Sequence, residues 1–265
     1  MTIRKLNFLK IIIIVTLLIP ILIISLILIN ILWKAIYGTV VPDFLFIIAY
    51  TLVNGLPATL LLTALGLLFG FILGLILAIM RIYGEIELQW IASGYEKLFR
   101  GIPLIVLIFI FAFGMPGIFW YLDPIQRTGA SVVLALALRS AAYQSQIFRG
   151  AILSVNPGQM DAALSLGMSR YLSFRYIIFP QALRLAVPSW SNEYAVVIKD
   201  SSFAYAVGII EMTRVAGRVS ANYPVIWAPT MGILAILYFL VTYPVTKFIG
   251  EKQSKKLKDL GMGGG

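Results

Sequence analysis

The sequence predicts an all-α, polytopic membrane protein with about six transmembrane helices. Three observations carry this prediction: the composition, the length of the uncharged runs, and the placement of the basic residues. Of the 265 residues, 60% are hydrophobic and only 12% are charged, whereas a soluble domain carries about 25% charged residues. This deficit of charge places the chain among proteins that are embedded in a lipid bilayer.

The uncharged runs predict where the chain crosses the bilayer, because a spanning helix needs about 20 largely apolar residues. The run between Lys10 and Lys34 is longer than the apolar part of a signal peptide and ends without a small-x-small cleavage site. We therefore predict a retained anchor helix there. The segment "VPDFLFIIAYTL" is predicted to include an interfacial part. The five further spans are predicted near residues 52–80, 102–121, 127–149, 185–210 and 225–246.

The basic residues predict the orientation of these spans. With six spans and a cytoplasmic N-terminus, 15 of the 21 Lys and Arg residues lie inside, four lie outside and two lie within spans. Such an excess on one side is typical of cytoplasmic loops, so both termini are predicted to be cytoplasmic. The bias also accounts for the net charge of +10, so a nucleic-acid partner is not needed to explain it.

The chain is predicted to have three segments and no catalytic role. These segments are an N-terminal anchor with an external or interfacial stretch (1–49), a transmembrane domain (50–247) and a basic cytoplasmic tail (248–265). Histidine and cysteine are both absent, which removes the commonest general base and metal ligand and all thiolate chemistry. No phosphate-binding loop of the G-x-x-x-x-G-K-[ST] type occurs either. We predict no catalytic residues, no metal site and no cofactor.

A polar stretch of about 25 residues, 156–180, interrupts the apolar pattern. Asn156 is a helix-capping residue, Pro157 suits the first helical position, and Gln159 has the spacing of a capping box. Gly167 is expected to end this helix, and "RYLSFRYIIF" to resume a helix as far as Pro180. Periodicity alone leaves open whether the two short helices are functional or form a connector on the membrane surface.

This stretch resembles the "EAA" loop of ABC importer permeases. The family pattern is Glu-Ala-Ala, three residues, Gly, nine residues, Ile, one residue, Leu-Pro. The chain matches this spacing, with Asp for Glu and Phe for Leu, at Asp161, Ala162, Ala163, Gly167, Ile177, Phe179 and Pro180. The resemblance implies a coupling helix that docks on a cytoplasmic ATPase. The residues that it implies for this contact are Gln159, Asp161, Ala162, Ala163, Gly167 and Pro180.

The flanking segments narrow the resemblance to permeases for polar amino acids, such as the histidine, glutamine and arginine importers. "FRGIPLIV" is similar to their Arg-Gly-Thr-Pro-Leu segment, with Ile102 in place of Thr. "AAYQSQIFRGAI" is similar to a second segment, with Gln146 in place of Glu, and "PQALRLAVPSWSNEYAVVIKDSS" is similar to a third. The resemblance covers roughly residues 50–246. Family members commonly have five core spans, so the helix near 10–34 would be an added sixth.

The resemblance also implies the function and the partners. The chain would form the translocation path of an ATP-driven importer in a prokaryotic plasma membrane. It would work with a second permease subunit, identical or different, with cytoplasmic ABC ATPase subunits and with an external solute-binding protein that delivers a polar amino acid. The sequence does not identify that amino acid.

Charged and polar residues inside predicted spans are candidates for the substrate path. A charged side chain at the bilayer centre costs about 2.5–3.5 kcal/mol on insertion scales, so it normally faces a partner or water. We hypothesise that Arg139 lines a cavity and faces a substrate carboxylate or an acid of the fifth span. The alternative is a structural ion pair between two spans. The full candidate set is Arg139, Tyr143, Gln146, Asn192, Glu193 and Lys199.

Two further points stay open at this stage. A secondary transporter driven by an ion gradient, using Glu193, Lys199 and Asp200 as a proton relay, is the alternative function. The halves of the sequence show no inverted repeat of the kind that many such transporters have. Separately, Gly66, Gly70 and Gly74 are spaced four apart and predict a face where another helix approaches closely.

Overall fold

The computed structural model describes residues 24–38 and 41–259, and this part of the chain is almost entirely helical. The first five helices are α1 (Ile24–Tyr37), α2 (Phe44–Tyr83), α3 (Ile86–Gly101), α4 (Leu104–Phe109) and α5 (Pro124–Leu153). The next six are α6 (Gly158–Ser165), α7 (Arg170–Ser173), α8 (Phe179–Asp200), α9 (Met212–Asn222), α10 (Trp227–Val245) and α11 (Lys252–Asp259). The predicted all-α class is confirmed.

Two helical runs in the described chain are long and apolar enough to cross a membrane, namely α2 and Pro224–Leu257. A third is added if α3 and α4, which are bent by 99° at the break between them, count as one broken span. The 30 residues of α5 measure about 45 Å, but α5 and α8 carry too many polar side chains to qualify by hydropathy. These helices agree with a polytopic membrane protein, and the total of six transmembrane helices stays a prediction.

The N-terminal part of the described chain folds back on α2. The Trp33 indole donates a hydrogen bond to the Pro42 carbonyl at 3.0 Å, and Lys34 pairs with Asp43 at 3.0 Å. Most of the predicted anchor, 10–34, lies outside the described residues.

The interfacial part predicted within "VPDFLFIIAYTL" stays a prediction. Its residues from Phe44 onward and the predicted second span belong to one helix, α2, which runs unbroken for 40 residues. This is about 60 Å, twice the thickness of a hydrocarbon core. Pro57 lies inside the helix without ending it. The predicted segment boundary at 49/50 falls within α2, and the one at 247/248 falls within the π-helical turn Thr246–Glu251.

The predicted third span, 102–121, is not one straight helix. Pro103 disfavours the helical region for the residue before it, and Ile102 is extended at φ −90° and ψ 129°. The chain therefore turns sharply into α4. A π-helical turn follows and ends at Gly114, and a short 3₁₀ turn covers Pro116–Phe119.

The predicted fifth span, 185–210, begins and ends earlier than expected. The helical run from Arg170 continues through the π turn Phe174–Ile178 into α8. Pro180 is the second residue of α8, so its missing N–H falls where the hydrogen-bond pattern changes from π to α. The α-helix ends at Asp200. A 3₁₀ segment, Ser201–Val207, then leads to Gly208, whose φ of +92° reverses the chain.

The glycine face of α2 packs directly on α5, as its spacing predicted. A Cβ added at Gly70 would lie 2.9 Å from Gln144 Nε2 and 3.0 Å from Ser140 Cβ, and one at Gly66 would lie 2.9 Å from the Leu136 Cβ. The missing side chains let the Gln144 amide donate to the α2 backbone at Leu67 O, 3.1 Å away. Close backbone approach therefore allows a polar contact at the centre of the fold.

We expect Gly70→Ala to destabilise the protein, because the new methyl group would push the Gln144 amide away from its partners. Overpacking of this kind costs about 1–3 kcal/mol, which lowers the melting temperature in detergent by roughly 2–10 °C. Gly94→Ala is the matched control, since Gly94 lies within α3 and has nothing within 4 Å of an added Cβ. Equal melting temperatures for the two variants would contradict the packing role.

Candidate functional site

An ion pair joins α5 to α8 in the middle of the described chain. The Arg139 guanidinium donates to the Asp200 carboxylate. The ring of Tyr143 lies one helical turn along α5, with the Arg139 guanidinium 4.9 Å and the Arg100 guanidinium 5.1 Å from its centroid. The structure pairs Arg139 with Asp200, an acid of the predicted fifth span, and this pair fits both alternatives for Arg139.

A second polar contact lies two turns of α8 further toward its N-terminus. Glu193 is buried, and the Ser140 hydroxyl donates to its carboxylate at 2.7 Å. The neighbouring Gln144 amide donates to Ser140 Oγ at 3.0 Å and accepts from the Trp190 indole at 2.9 Å. Together with the ion pair, these bonds form a polar seam between α5 and α8.

A cavity of about 490 Å³ opens beside this seam, between α5, α8 and α11. Three of the six candidate path residues line it, namely Tyr143, Gln146 and Glu193. Asn192 and Lys199 are exposed on α8 and are not among its lining residues. Arg139 is turned to Asp200 instead, so the structure brings together only part of the candidate set.

Two functional features were missed at the sequence level. Glu96 of α3 is buried, accepts from the Ser145 hydroxyl at 2.7 Å and from the Gln146 amide at 3.4 Å, and lies 4.0 Å from Arg81 Nε. Arg100 has no carboxylate within salt-bridge distance in residues 24–38 and 41–259. Both lie in a short polar connection between apolar runs, where nothing in the residue pattern distinguishes them from ordinary interfacial charges.

Glu211, also missed, holds the turn between the 3₁₀ segment and α9. Its carboxylate accepts from the backbone amides of Thr213 at 2.8 Å and Arg214 at 2.7 Å, which caps the helix. It also accepts from the Tyr238 hydroxyl of α10 at 3.0 Å. A carboxylate directly before the amphipathic stretch Met212–Asn222 was the available signal in the sequence.

The polar stretch after α5 forms a short helix with a well-defined turn at each end. At its start, Asn156 Oδ1 accepts from the Gly158 amide at 2.9 Å, although no return bond from the Gln159 side chain occurs in the described chain. At its end, Gly167 has a φ of +80°, and the Met168 amide donates to the Ala163 carbonyl at 3.1 Å. This is the Schellman arrangement that a left-handed glycine permits.

This helix, α6, packs on the body of the chain through Ala163 and through the half-buried Met160, which contacts the apolar cluster around Phe148. Ala163 is only 5% exposed, whereas Gln159, Asp161, Ala162 and Gly167 are exposed. Leu166, at the C-terminal end, is 84% exposed. Pro180 lies apart from this group, in the first turn of α8. The arrangement presents a rigid, largely uncovered surface with an apolar tip.

Comparison with known proteins supports the resemblance. Residues 70–259 match the family described as "Binding-protein-dependent transport system inner membrane component". The chain is 36% identical over 220 residues to the L-cystine transport system permease protein TcyL of Bacillus subtilis, covering 78% of this chain and 88% of TcyL. It is 32% identical over 214 residues to the glutamine transport system permease protein GlnP of Escherichia coli, covering 79% and 94%.

A solved structure of a related transporter has a similar fold. The crystal structure of an amino acid ABC transporter with histidines superposes with a TM-score of 0.68 at 31% sequence identity, covering 81% of this chain and 99% of the other. The similarity of sequence, fold and motif spacing extends over most of the chain. The chain therefore belongs to the family of binding-protein-dependent transport system inner membrane components.

Proposed function

We propose that this chain is the permease subunit of an ATP-driven importer for a polar amino acid. Its relatives include permeases named for glutamine and for L-cystine. We further propose that it pairs with a second permease subunit and receives its substrate from an external solute-binding protein. The single observation that carries the coupling to an ATPase is the exposed, doubly terminated helix α6.

The geometry of α6 suits the transmission of force. A short helix that is capped at Asn156 and terminated by a left-handed glycine is stiff. A force on its exposed surface therefore moves the two helices that it connects, which are α5 and, through α7, α8. Both helices border the cavity. The proposed contact residues are the exposed Gln159, Asp161, Ala162 and Gly167. Ala163 holds α6 against the body of the chain, and Pro180 lies where the chain enters α8.

We expect Leu166→Asp to reduce the amount of ATPase that co-purifies with the chain by about tenfold or more. A charge on the apolar tip of α6 would have to be buried in the contact, and unpaired buried charges are costly. Ile125→Asp is the matched control, because Ile125 is 81% exposed at the far end of α5. Equal ATPase recovery from both variants would refute the coupling role of α6.

The proposed orientation places α6 and both termini in the cytoplasm. The chain has no cysteine, so L166C and I125C can be probed singly with a thiol reagent that does not cross membranes. From outside intact cells we expect I125C to react and L166C to be protected until the membrane is permeabilised. Labelling of L166C from outside with protection of I125C would invert the proposed topology.

We propose the cavity as the substrate path, with Gln146 and Glu193 as its polar lining and Tyr143 as its aromatic wall. The Arg139–Asp200 pair keeps Tyr143 in place. Because the charge of Arg139 is already neutralised by Asp200, we assign the pair a positioning role. Asn192 and Lys199 are exposed on α8. A lone cation is costly in lipid, so we propose that this surface faces the second permease subunit.

We expect Arg139→Gln alone to lower the amount of protein in the membrane, because it leaves Asp200 buried without its partner, a loss of about 3–5 kcal/mol. The double variant R139Q/D200N removes both charges and should recover most of that amount. Uptake at several substrate concentrations is then measured per copy of protein. A half-saturation concentration raised tenfold or more in the well-folded double variant would show that Arg139 binds substrate directly.

The ion-gradient alternative has less support. The proposed relay would need Glu193, Lys199 and Asp200 to exchange protons, but Glu193 is bonded to Ser140, Asp200 is paired with Arg139, and Lys199 is exposed. The family assignment favours the importer.

A further inference from the structure

The C-terminal helix α11 contributes to the wall of the cavity. Ser254 and Leu257 line it, together with Ser154 of α5 and Leu185 of α8. Leu257 is only 5% exposed although it lies in the charged sequence "KQSKKLKD", where Lys252, Lys255 and Lys256 are exposed. One apolar side chain of a basic helix is thus buried against the transmembrane body.

The position of α11 along the cavity follows from the two helices that flank it. Tyr143 and Glu193 mark the inner end of the cavity. From there α5 runs toward Ser154 and α6, and α8 runs back toward Leu185. Ser154 immediately precedes the loop that carries α6, so the end of the cavity near Ser154 and Leu185 lies on the α6 side. The α10–α11 run meets α8 at Tyr194 and then at Ser191, so α11 continues along α8 toward that end and brings Leu257 there. In the proposed orientation this end is the cytoplasmic mouth.

The helical run that joins α10 to α11 crosses α8 closely, and the crossing lies just before α11. Gly250, in the π-helical turn between α10 and α11, is buried against Ser191 of α8, and an added Cβ would overlap the Ser191 hydroxyl. That hydroxyl donates to the Pro188 carbonyl at 2.7 Å. The backbone of the run therefore approaches α8 most closely at Gly250, and π-helical turns are often found at functional positions. A small rotation about this crossing would move Leu257 away from the mouth.

We propose that α11 is a cytoplasmic lid of the cavity and that Leu257 closes its mouth in the conformation described here. The proposal rests on the proposed function, in which the cavity carries the substrate toward the cytoplasm. The lid opens when the α10–α11 run tilts at the Gly250–Ser191 crossing. Solute then leaves between α5, α8 and α11.

The first test needs no substrate. In inside-out vesicles that hold the complete importer, a single cysteine at Ala151, which is buried and lines the cavity, is modified by an impermeant thiol reagent. We expect Leu257→Ala to raise the rate of modification about tenfold. Lys256→Ala, the neighbouring exposed position, is the control and should leave the rate unchanged. An unchanged rate in L257A, or an equal rise in K256A, would overturn the proposal.

The second test traps the lid. S154C and L257C are joined by a reducible bifunctional reagent long enough to span the cavity, and uptake of radiolabelled L-glutamine, L-arginine, L-histidine and L-cystine is measured. Cross-linking should stop uptake, and reduction should restore it. Continued uptake after cross-linking, or failure of the two cysteines to link, would exclude a moving lid at this mouth. If none of the four amino acids enters even without cross-linking, the proposed function fails, and the rate at A151C still decides the lid.

Discussion

The structure depends on polar contacts between α5 and α8 inside an otherwise apolar chain. Lipid offers no partner to a polar side chain, so these groups bond to one another. The Arg139–Asp200 pair and the Ser140–Glu193 bond set how the two helices lie side by side. The cavity beside them, and the α6 helix that links them, take their places from that alignment. The two helices that are too polar to qualify as spans by hydropathy are therefore the ones that line the cavity.

Glycine on α2 is the second requirement of this arrangement. Because Gly70 has no side chain, Gln144 reaches the α2 backbone while also bonding to Ser140 and to the Trp190 indole. One buried amide thus connects α2, α5 and α8. A motion imposed on α6 would pass through this junction of three helices, and the hydrogen bonds of Gln144 favour movement of these helices as a unit.

Several elements could be predicted from the sequence because their signals are local. The short helix α6 followed from Asn156 and Gly167, whose backbone preferences are properties of the residues themselves. The glycine face of α2 followed from its spacing. The breaks at Ile102 and Asp200 were missed, because an apolar run has the same composition whether it continues or turns. A proline within that run was the only local sign of the break at Ile102.

By itself the sequence determined the all-α membrane class, the family resemblance and the rigid α6 helix, since composition, motif spacing and capping are encoded residue by residue. Only the tertiary structure decided which charges meet. Arg139 and Asp200 are 61 positions apart, and spacing within one helix cannot show which residue of another helix lies opposite. The tertiary structure likewise decided that Leu257 of the basic C-terminal helix is buried at the cavity mouth, because burial depends on the neighbours that a folded chain supplies.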